Sequence, residues 1–494
     1  MSVFVRRGWI LPLTLALFVD NVRGTPVRAA AVLAALAWAA CVYVSCRRRP
    51  GFSSVHSWLL AWGLAGVAFS CYRSNTLNEW SLLAAAVALA GGFSVVLDAA
   101  PDEQKIVPSV LLVLALVKAV LFWRWTGFLA ANPSLLGMFW SLALVVARPR
   151  RLGPRAWLWT ATAAASVPLM FRWNMSSALL GLVVGWPLAE AFQRRSRRLF
   201  VLAGVVCLAM GALFAAGPRW VRDNPDDPKR LNRLVMWKDS AVYAAHEGII
   251  GTALGTFEQV YPRYKTLPGT DTANFAHNEF LQAADELGIP GVALILLLLA
   301  ALGRAAARRG WESPDAAAGL GIILIWANLY YPFRSDALLF TGALLTADLA
   351  RAPSRPWPPA AAGMVAGAFL LTGAVALTQG VAGLWEFAGG AAWKAGRFEE
   401  ARERFKTAAR WNPLEPRLLD HQVECLRELD RKKETLPLLE RAVALKPRDV
   451  WLRRKLAVAR LNLVGPDAAR ATYRPILDLA PNVGQFRREY EELK

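Results

Sequence analysis

The sequence has few of the residues on which metal and disulfide sites depend. Its 494 residues include five cysteines and four histidines. Cys41, Cys46, Cys71 and Cys207 lie in or beside apolar segments, and Cys425 stands alone near the C-terminus. This odd set has no paired spacing, which excludes a disulfide framework and a cysteine metal motif. There is also no Asp-x-Asp motif, so we expect neither a metal nor another cofactor.

Charged residues are also scarce, at 19%, whereas hydrophobic residues make up 55% and the mean hydropathy is +0.31. This composition excludes a wholly soluble globular protein. Acidic residues number 37 against 57 Lys and Arg, which gives a net charge of +20. A charge of this size suits nucleic-acid binding, but the basic residues are confined to a few connections between apolar runs. We therefore expect a membrane protein with no nucleic-acid partner.

Apolar runs long enough to cross a bilayer recur along most of the chain and predict an all-α polytopic membrane protein of about 12–13 transmembrane helices. No cleavable signal peptide is evident, because the first apolar segment lacks a small-residue cleavage site. The predicted spans are 9–22, 27–46, 54–72, 80–98, 106–123, 132–147, 155–170, 175–192, 198–216, 288–304, 316–333, 336–350 and 359–379.

Four regions follow from these spans: N-terminal transmembrane helices (1–216), a polar loop (217–287), C-terminal transmembrane helices (288–380) and a charged tail (384–494). Basic clusters fall in alternate connections, which the positive-inside rule places in the cytoplasm. The loop and the tail are then both extracytoplasmic. The clusters are Arg47–Arg49, Arg148–Arg155, Arg194–Arg198, Arg304–Arg309 and Arg351–Arg355.

The tail has the spacing of a helical repeat. Pro413, Pro447 and Pro481 recur every 34 residues, the period of tetratricopeptide repeats. Preceding Pro413, Phe405 and Ala401 stand at positions typical of that repeat. Paired helices of this kind stack into a concave face that suits a protein partner. An unrelated helical cap is the alternative.

The loop contains the densest group of chemically useful residues. Arg233 and Trp237 come first, followed by Gly251–Phe257, and His277-Asn278 then precede the segment Glu286–Gly291 at the start of a span. A loop of about seventy residues between spans indicates a function of its own. Titratable groups at the edge of a membrane span are costly, which favours a chemical role.

These motifs resemble the O-antigen ligase and O-antigen polymerase superfamily, whose members are bacterial inner-membrane glycosyltransferases. The resemblance covers about residues 55–350, its motifs are concentrated in 230–292, and some relatives have a tetratricopeptide tail. It implies transfer of a glycan from an undecaprenyl-diphosphate carrier to a lipid, glycan or protein hydroxyl, outside the cytoplasm. Ligase and polymerase share this displacement with different hydroxyls, so both stay open.

One position departs from the superfamily pattern. Many relatives have a Ser-Arg pair two spans before the loop, where this chain has Ser176-Ser177. Arg172 lies about one helical turn away on the same predicted edge and is our substitute for the missing charge.

The reaction that the resemblance implies assigns roles to named residues. Arginine suits a departing diphosphate because it is permanently charged and binds phosphate oxygens bidentately. The predicted catalytic residues are His277, which takes the acceptor proton, and Glu286, which fixes its tautomer, a role that Glu279 could also fill. The predicted substrate-binding residues are Arg172, Arg233, Arg263, Lys265 and Asn278. A single displacement inverts the anomeric centre.

Structural alternatives exist for each assignment. His277 could cap the following helix, Arg233 could snorkel, and Glu286 could be a carboxylate favoured by a helix dipole. Arg334 and Asp336, between two spans, could pair with each other. For the whole protein, the alternative to an enzyme is a non-catalytic scaffold or carrier for polysaccharide assembly.

Overall fold

The computed structural model describes residues 1–17, 26–49, 54–124, 133–149, 153–173, 175–216, 233–267, 273–351, 354–356 and 359–493. These residues are almost entirely helical, in agreement with the predicted all-α class. The start of the predicted loop (217–232), the end of the first predicted span, Arg150 and Arg151 lie outside the described residues.

Each predicted span overlaps a helix in its described part. The helices before the loop are α1 (Val3–Arg7), which precedes the first predicted span, α2 (Ile10–Leu17), α3 (Pro26–Cys46), α4 (Ser54–Phe69), α5 (Arg73–Ala99), α6 (Val107–Arg124), α7 (Pro133–Val146), α8 (Pro154–Arg172), α9 (Ser176–Arg194) and α10 (Arg197–Ala216). The loop contributes α11 (Arg233–Glu247) and α12 (Phe257–Val260), and the second membrane region α13 (Glu279–Arg309), α14 (Pro314–Ala327) and α15 (Asp336–Ala350). Short 3-10 turns occupy Pro101–Lys105, Tyr261–Arg263 and Pro332–Arg334.

Five helices of the described residues are long and apolar enough to cross a membrane: Pro26–Cys46, Arg73–Ala99, Pro101–Phe122, Glu279–Arg309 and Gly363–Lys394. Three further apolar helices are shorter, namely Val55–Phe69, Ser134–Val146 and Pro314–Ala327. These helices support a membrane protein. The larger number of spans stays a prediction.

The membrane helices pack around α5. The most apolar stretch of α5 is 89% buried inside the protein, whereas the corresponding stretch of α13 is only 22% buried. Trp9, Phe93 and Trp140 are among the large side chains fully buried in the same core. The centre of the bundle is therefore protein-lined, while α13 presents most of its apolar surface outward.

The basic clusters gather at one end of this bundle, called the basic end. Strand β1 (Arg48–Arg49) pairs there in antiparallel fashion with β2 (Arg355–Pro356). Arg48 binds Asp98 at 3.0 Å, and Arg309 donates to the carbonyl of Arg351. The start of α13 lies at the opposite end, called the loop end, where α5 and α15 also begin. The bundle is thus polarised in charge, as the sequence predicts.

The tail continues from a membrane helix without a break. Helix α16 (Pro359–Lys394) runs from the bundle into the first hairpin. The following helices are α17 (Phe398–Trp411), α18 (Pro416–Glu428), α19 (Thr435–Leu445), α20 (Val450–Leu463), α21 (Pro466–Leu479) and α22 (Gly484–Glu492), with a 3-10 turn at Lys432–Glu434.

The tail helices have the predicted period. Helices α18, α20 and α22 begin at Pro416, Val450 and Gly484, which are 34 residues apart. Phe405 and Ala401 are buried between α16 and α17, as expected for a repeat. Helical hairpins at this spacing are therefore a feature of the structure, and their assignment to the tetratricopeptide family stays a prediction.

Candidate functional site

The loop docks onto a break in α13. Gly288 interrupts that helix with φ +63°, and the Gly251 backbone lies directly against it. Ala253 N donates to the Glu286 carbonyl at 2.8 Å, and Ile289 N donates to the Gly248 carbonyl at 3.0 Å. A Cβ on Gly288 would lie 2.5 Å from Gly251 N, so this approach requires glycine. The glycines of the motif therefore fix the loop on the bundle.

Helix α11 presents two functional side chains on one face. Arg233 and Trp237 are four residues apart and so lie one above the other. The Trp237 indole donates to the carbonyl of Ala276 at 3.0 Å, next to His277. Arg233 donates to the Leu329 carbonyl at 3.1 Å and lies over the Tyr330 ring, 4.5 Å from its centroid. The helix thus brings a guanidinium to the motif histidine.

His277 is held in an unusual conformation. Its φ is +53°, a left-handed value that costs free energy for a residue other than glycine. Asn278 follows it and caps α13, its side-chain oxygen accepting from Phe280 N and Leu281 N. The imidazole packs edge-on against Tyr331, 4.8 Å between ring centroids. His277 thus precedes the helix cap, which Asn278 provides.

The environment of His277 favours a neutral imidazole. Burial, and the positive charge of Arg233 nearby, lower its pKa from 6.5 to about 4. Its Nδ1 is buried and has no hydrogen-bond partner among the described residues. At neutral pH the ring therefore has an unprotonated nitrogen that can accept a proton.

A chain of buried ion pairs lies beneath this histidine. Arg334 donates to Glu79 at 2.9 Å and to Glu286 at 2.8 Å. Glu79 also faces Arg28 at 3.7 Å, and Arg28 forms two hydrogen bonds with Asp336. All five side chains are buried. Paired charges of this kind tie α3, α5, α13 and α15 together at the loop end, and losing one partner would be costly.

The structure corrects the predicted role of the two glutamates. Glu286 accepts from Arg334, Phe257 N and Gln282, and Glu279 accepts from Phe333 N. Neither carboxylate forms a hydrogen bond or an ion pair with His277 within the described part of the chain. The reason is that the imidazole, which precedes the helix in a left-handed conformation, turns toward Tyr331. The predicted Arg334–Asp336 pair is also wrong, since both residues have other partners.

The remaining predicted residues differ in exposure and in their partners. Arg263 is exposed and forms an ion pair with Glu247 at 3.6 Å. Lys265 is 2% exposed, which argues against direct contact with a substrate. Arg172 is exposed at the C-terminal end of α8. That end lies at the loop end of the bundle, because Trp326 at the end of α14 donates to Ser177 O at the start of α9.

The motif analysis missed Arg28, Glu79 and Tyr331. Arg28 and Glu79 are charges within or beside apolar spans, a signal that marks functional or paired positions in membrane proteins. Tyr331 had no comparable signal, because its role depends on the turn that follows α14.

No family model and no curated protein matches this chain. The chemistry must therefore be argued from the site itself. It combines a neutral imidazole, a neighbouring guanidinium and two tyrosine rings, at the end of an apolar helix bundle. Such a set can accept a proton and bind an anion at the same place.

Proposed function

We propose that this protein is a membrane glycosyltransferase of the O-antigen ligase type. It would transfer a glycan from an undecaprenyl-diphosphate carrier to an acceptor hydroxyl on the outer face of a bacterial inner membrane. The observation that carries the proposal is the proximity of His277 and Arg233, which flank the Tyr330-Tyr331 pair at the loop end.

The residue types fit the demands of this displacement. The acceptor oxygen bonds to the anomeric carbon while the bond from that carbon to the diphosphate oxygen breaks, inverting the centre. The hydroxyl proton goes to His277, whose pKa of about 4 keeps it unprotonated at neutral pH. The departing diphosphate gains negative charge, which Arg233 stabilises, with Arg172 as a second cation at the same end. This mechanism has no metal-dependent step.

The buried ion pairs give Glu286 a supporting role in this proposal. Through Arg334 it fixes the Pro332–Arg334 turn, which follows Tyr331. Asn278 supports the same geometry by capping α13 and donating to the Asn328 carbonyl at 3.2 Å. Both residues therefore position the site. A polymerase would need the same arrangement, with a glycan hydroxyl in place of a lipid or protein hydroxyl.

The test is substitution of His277 in cells that depend on this protein for surface polysaccharide. His277→Gln should abolish assembly and cause lipid-linked glycan to accumulate, at unchanged protein level. His246→Gln is the matched control, because His246 is exposed in the same loop and hydrogen-bonds the Val242 carbonyl. Normal polysaccharide assembly in the His277 variant would refute the proposed glycosyltransferase activity. It would favour the alternative of a non-catalytic scaffold. The length of the accumulated glycan would distinguish ligase from polymerase.

A further inference from the structure

A second site is suggested by an apolar groove along α13, away from His277. The groove has a volume of about 580 Å³ and is lined mainly by hydrocarbon from five helices and one 3-10 turn. This volume lies in the range of ligand pockets. Phe333 lines it toward the loop end, and Arg304 and Arg308 line it toward the basic end.

Small side chains keep the groove open. Ala301 and Ala305 line it from α13, and Gly342 and Ala343 line it from α15. α13 makes most of its bundle contacts with α4 and α15, and few with α14. Because α13 is also one of the membrane-spanning candidates and is mostly exposed, we expect the groove to open toward the hydrocarbon of a bilayer.

Two arginines at the basic end give this groove a charged mouth. Arg304 and Arg308 are four residues apart and so share one face of α13. Both are exposed, and neither forms an ion pair or hydrogen bond with any residue that the structure describes. The nearby Arg351 differs, because it binds Asp348 at 3.2 Å. The mouth therefore has two exposed guanidiniums with no partner among the described residues, whereas Arg309, which also lines it, donates to the Arg351 carbonyl.

We propose that this groove binds one anionic phospholipid from the leaflet at the basic end. An acyl chain would fill the apolar part beside Ala301 and Gly342. The phosphate would lie on Arg304 and Arg308, since guanidinium binds phosphate oxygens bidentately and is weakly hydrated. The complementary charge of the mouth selects an anionic over a zwitterionic headgroup.

This lipid is distinct from the glycan carrier of the proposed function. The carrier's diphosphate would lie near Arg233 and His277 at the loop end. Gly288 and Arg304 are separated along α13 by about 24 Å of helix, at 1.5 Å per residue. The two phosphate positions therefore lie at opposite ends of the bundle, and the lipid site stands even if the glycosyltransferase proposal fails.

The experiment is native mass spectrometry of the full-length, delipidated protein with dioleoyl phosphatidylglycerol or dioleoyl phosphatidylcholine. The wild type should retain one phosphatidylglycerol in preference to phosphatidylcholine. The double variant Arg304→Gln/Arg308→Gln should bind phosphatidylglycerol roughly thirtyfold more weakly. Arg197→Gln/Arg198→Gln is the matched control, because these exposed arginines lie at the same end on α10, outside the groove.

A second variant tests the apolar part of the site with both arginines intact. A Cβ on Gly342 would meet Ile323 at 3.4 Å, an ordinary van der Waals distance, and Gly342 lines the groove, so Gly342→Leu would place a side chain in the space of the acyl chain. It should weaken phosphatidylglycerol binding at least as much as the arginine variant does.

Four outcomes would overturn the proposal. They are equal retention of both lipids by the wild type, unchanged binding in the Gln variant, stronger retention of a polyprenyl monophosphate, and binding of inorganic phosphate with no binding of phosphatidylglycerol.

Discussion

Arg334 donates a 2.8 Å hydrogen bond to Glu286, and this bond joins the turn before α15 to the broken start of α13. The same guanidinium binds Glu79 on α5 at 2.9 Å. The buried Arg334 guanidinium therefore joins α5, α13 and the turn before α15 at the loop end of the bundle. We therefore expect the position of the site to depend on this cation.

Removing the Arg334 charge should destabilise the protein strongly. Arg334→Met leaves Glu79 and Glu286 buried without their partner, and we expect a loss of about 3–5 kcal/mol, measured as a lowered unfolding temperature in detergent. The triple variant Arg334→Met/Glu79→Met/Glu286→Met should recover part of this loss, because it removes the two carboxylates that hydrogen-bond Arg334 and leaves only the more distant Glu279, at 4.0 Å, without its cation. Arg263→Gln is the control, since that exposed ion pair should contribute no more than about 1 kcal/mol. Equal effects at the two arginines would contradict the buried network.

Closure of the loop on α13 should depend on Gly288. Gly288→Ala combines a φ of +63° with a Cβ only 2.5 Å from Gly251 N, so we expect a loss of about 1–3 kcal/mol in unfolding free energy. Gly303→Ala on the same helix meets no atom within 4 Å and should be neutral or stabilising. Thermal unfolding of both variants checks this. A neutral Gly288→Ala would mean that the loop does not pack on the helix break.

The ionisation of His277 should follow its depressed pKa. A neutral imidazole reacts with diethyl pyrocarbonate, so peptide-resolved modification of His277, normalised to N-acetylhistidine, should persist as pH falls and decline only near its pKa of about 4. Arg233→Gln removes the neighbouring positive charge and should move the midpoint upward, although burial still lowers it. A midpoint near the ordinary 6.5 in the wild type would contradict this environment.

The same shift predicts how stability depends on pH. The unfolded chain binds a proton on this histidine below about 6.5, whereas the folded chain does so only near the lower pKa of about 4. The contribution of His277 to stability is therefore present at neutral pH and is lost as pH falls through that interval. His277→Gln should flatten this part of the stability profile.

The tail should protect the turn between α4 and α5. Glu415 accepts hydrogen bonds from Tyr72 at 2.7 Å and from Ser74 at 3.0 Å. Burial raises the pKa of the adjacent Cys71 thiol to about 11, so it should react slowly with maleimide. Glu415→Ala should release the tail and accelerate labelling about tenfold or more, because hydrogen bonds to a charged group contribute about 1.5–3 kcal/mol.

The labelling is measured in a background where the other four cysteines are serine. Glu489→Ala is the control, because Glu489 binds Arg454 and Tyr473 within the tail and lies away from this turn. Equal labelling rates in the two variants would indicate that Glu415 does not hold the tail.

The helices could be predicted from the sequence because their apolar runs and the 34-residue proline spacing are local signals. The roles that the resemblance implies for Arg233 and His277 require the two side chains to lie close together, and the docking of α11 through Trp237 provides this proximity. The partners of Glu286 could not be predicted in this way. Arg334 and Glu79 are far away in sequence, and only the packing of α5 against α15 brings them to that carboxylate.

The number of residues in α16 sets the orientation of the tail. This helix runs without interruption from the bundle into the first hairpin. Inserting one residue within it would rotate everything downstream by about 100°. Glu415 would then face away from Tyr72. An insertion or deletion in this helix is compatible with the observed docking only if it adds or removes nearly whole turns. The helix is therefore a rigid connection whose length fixes the rotation of the tail relative to the bundle.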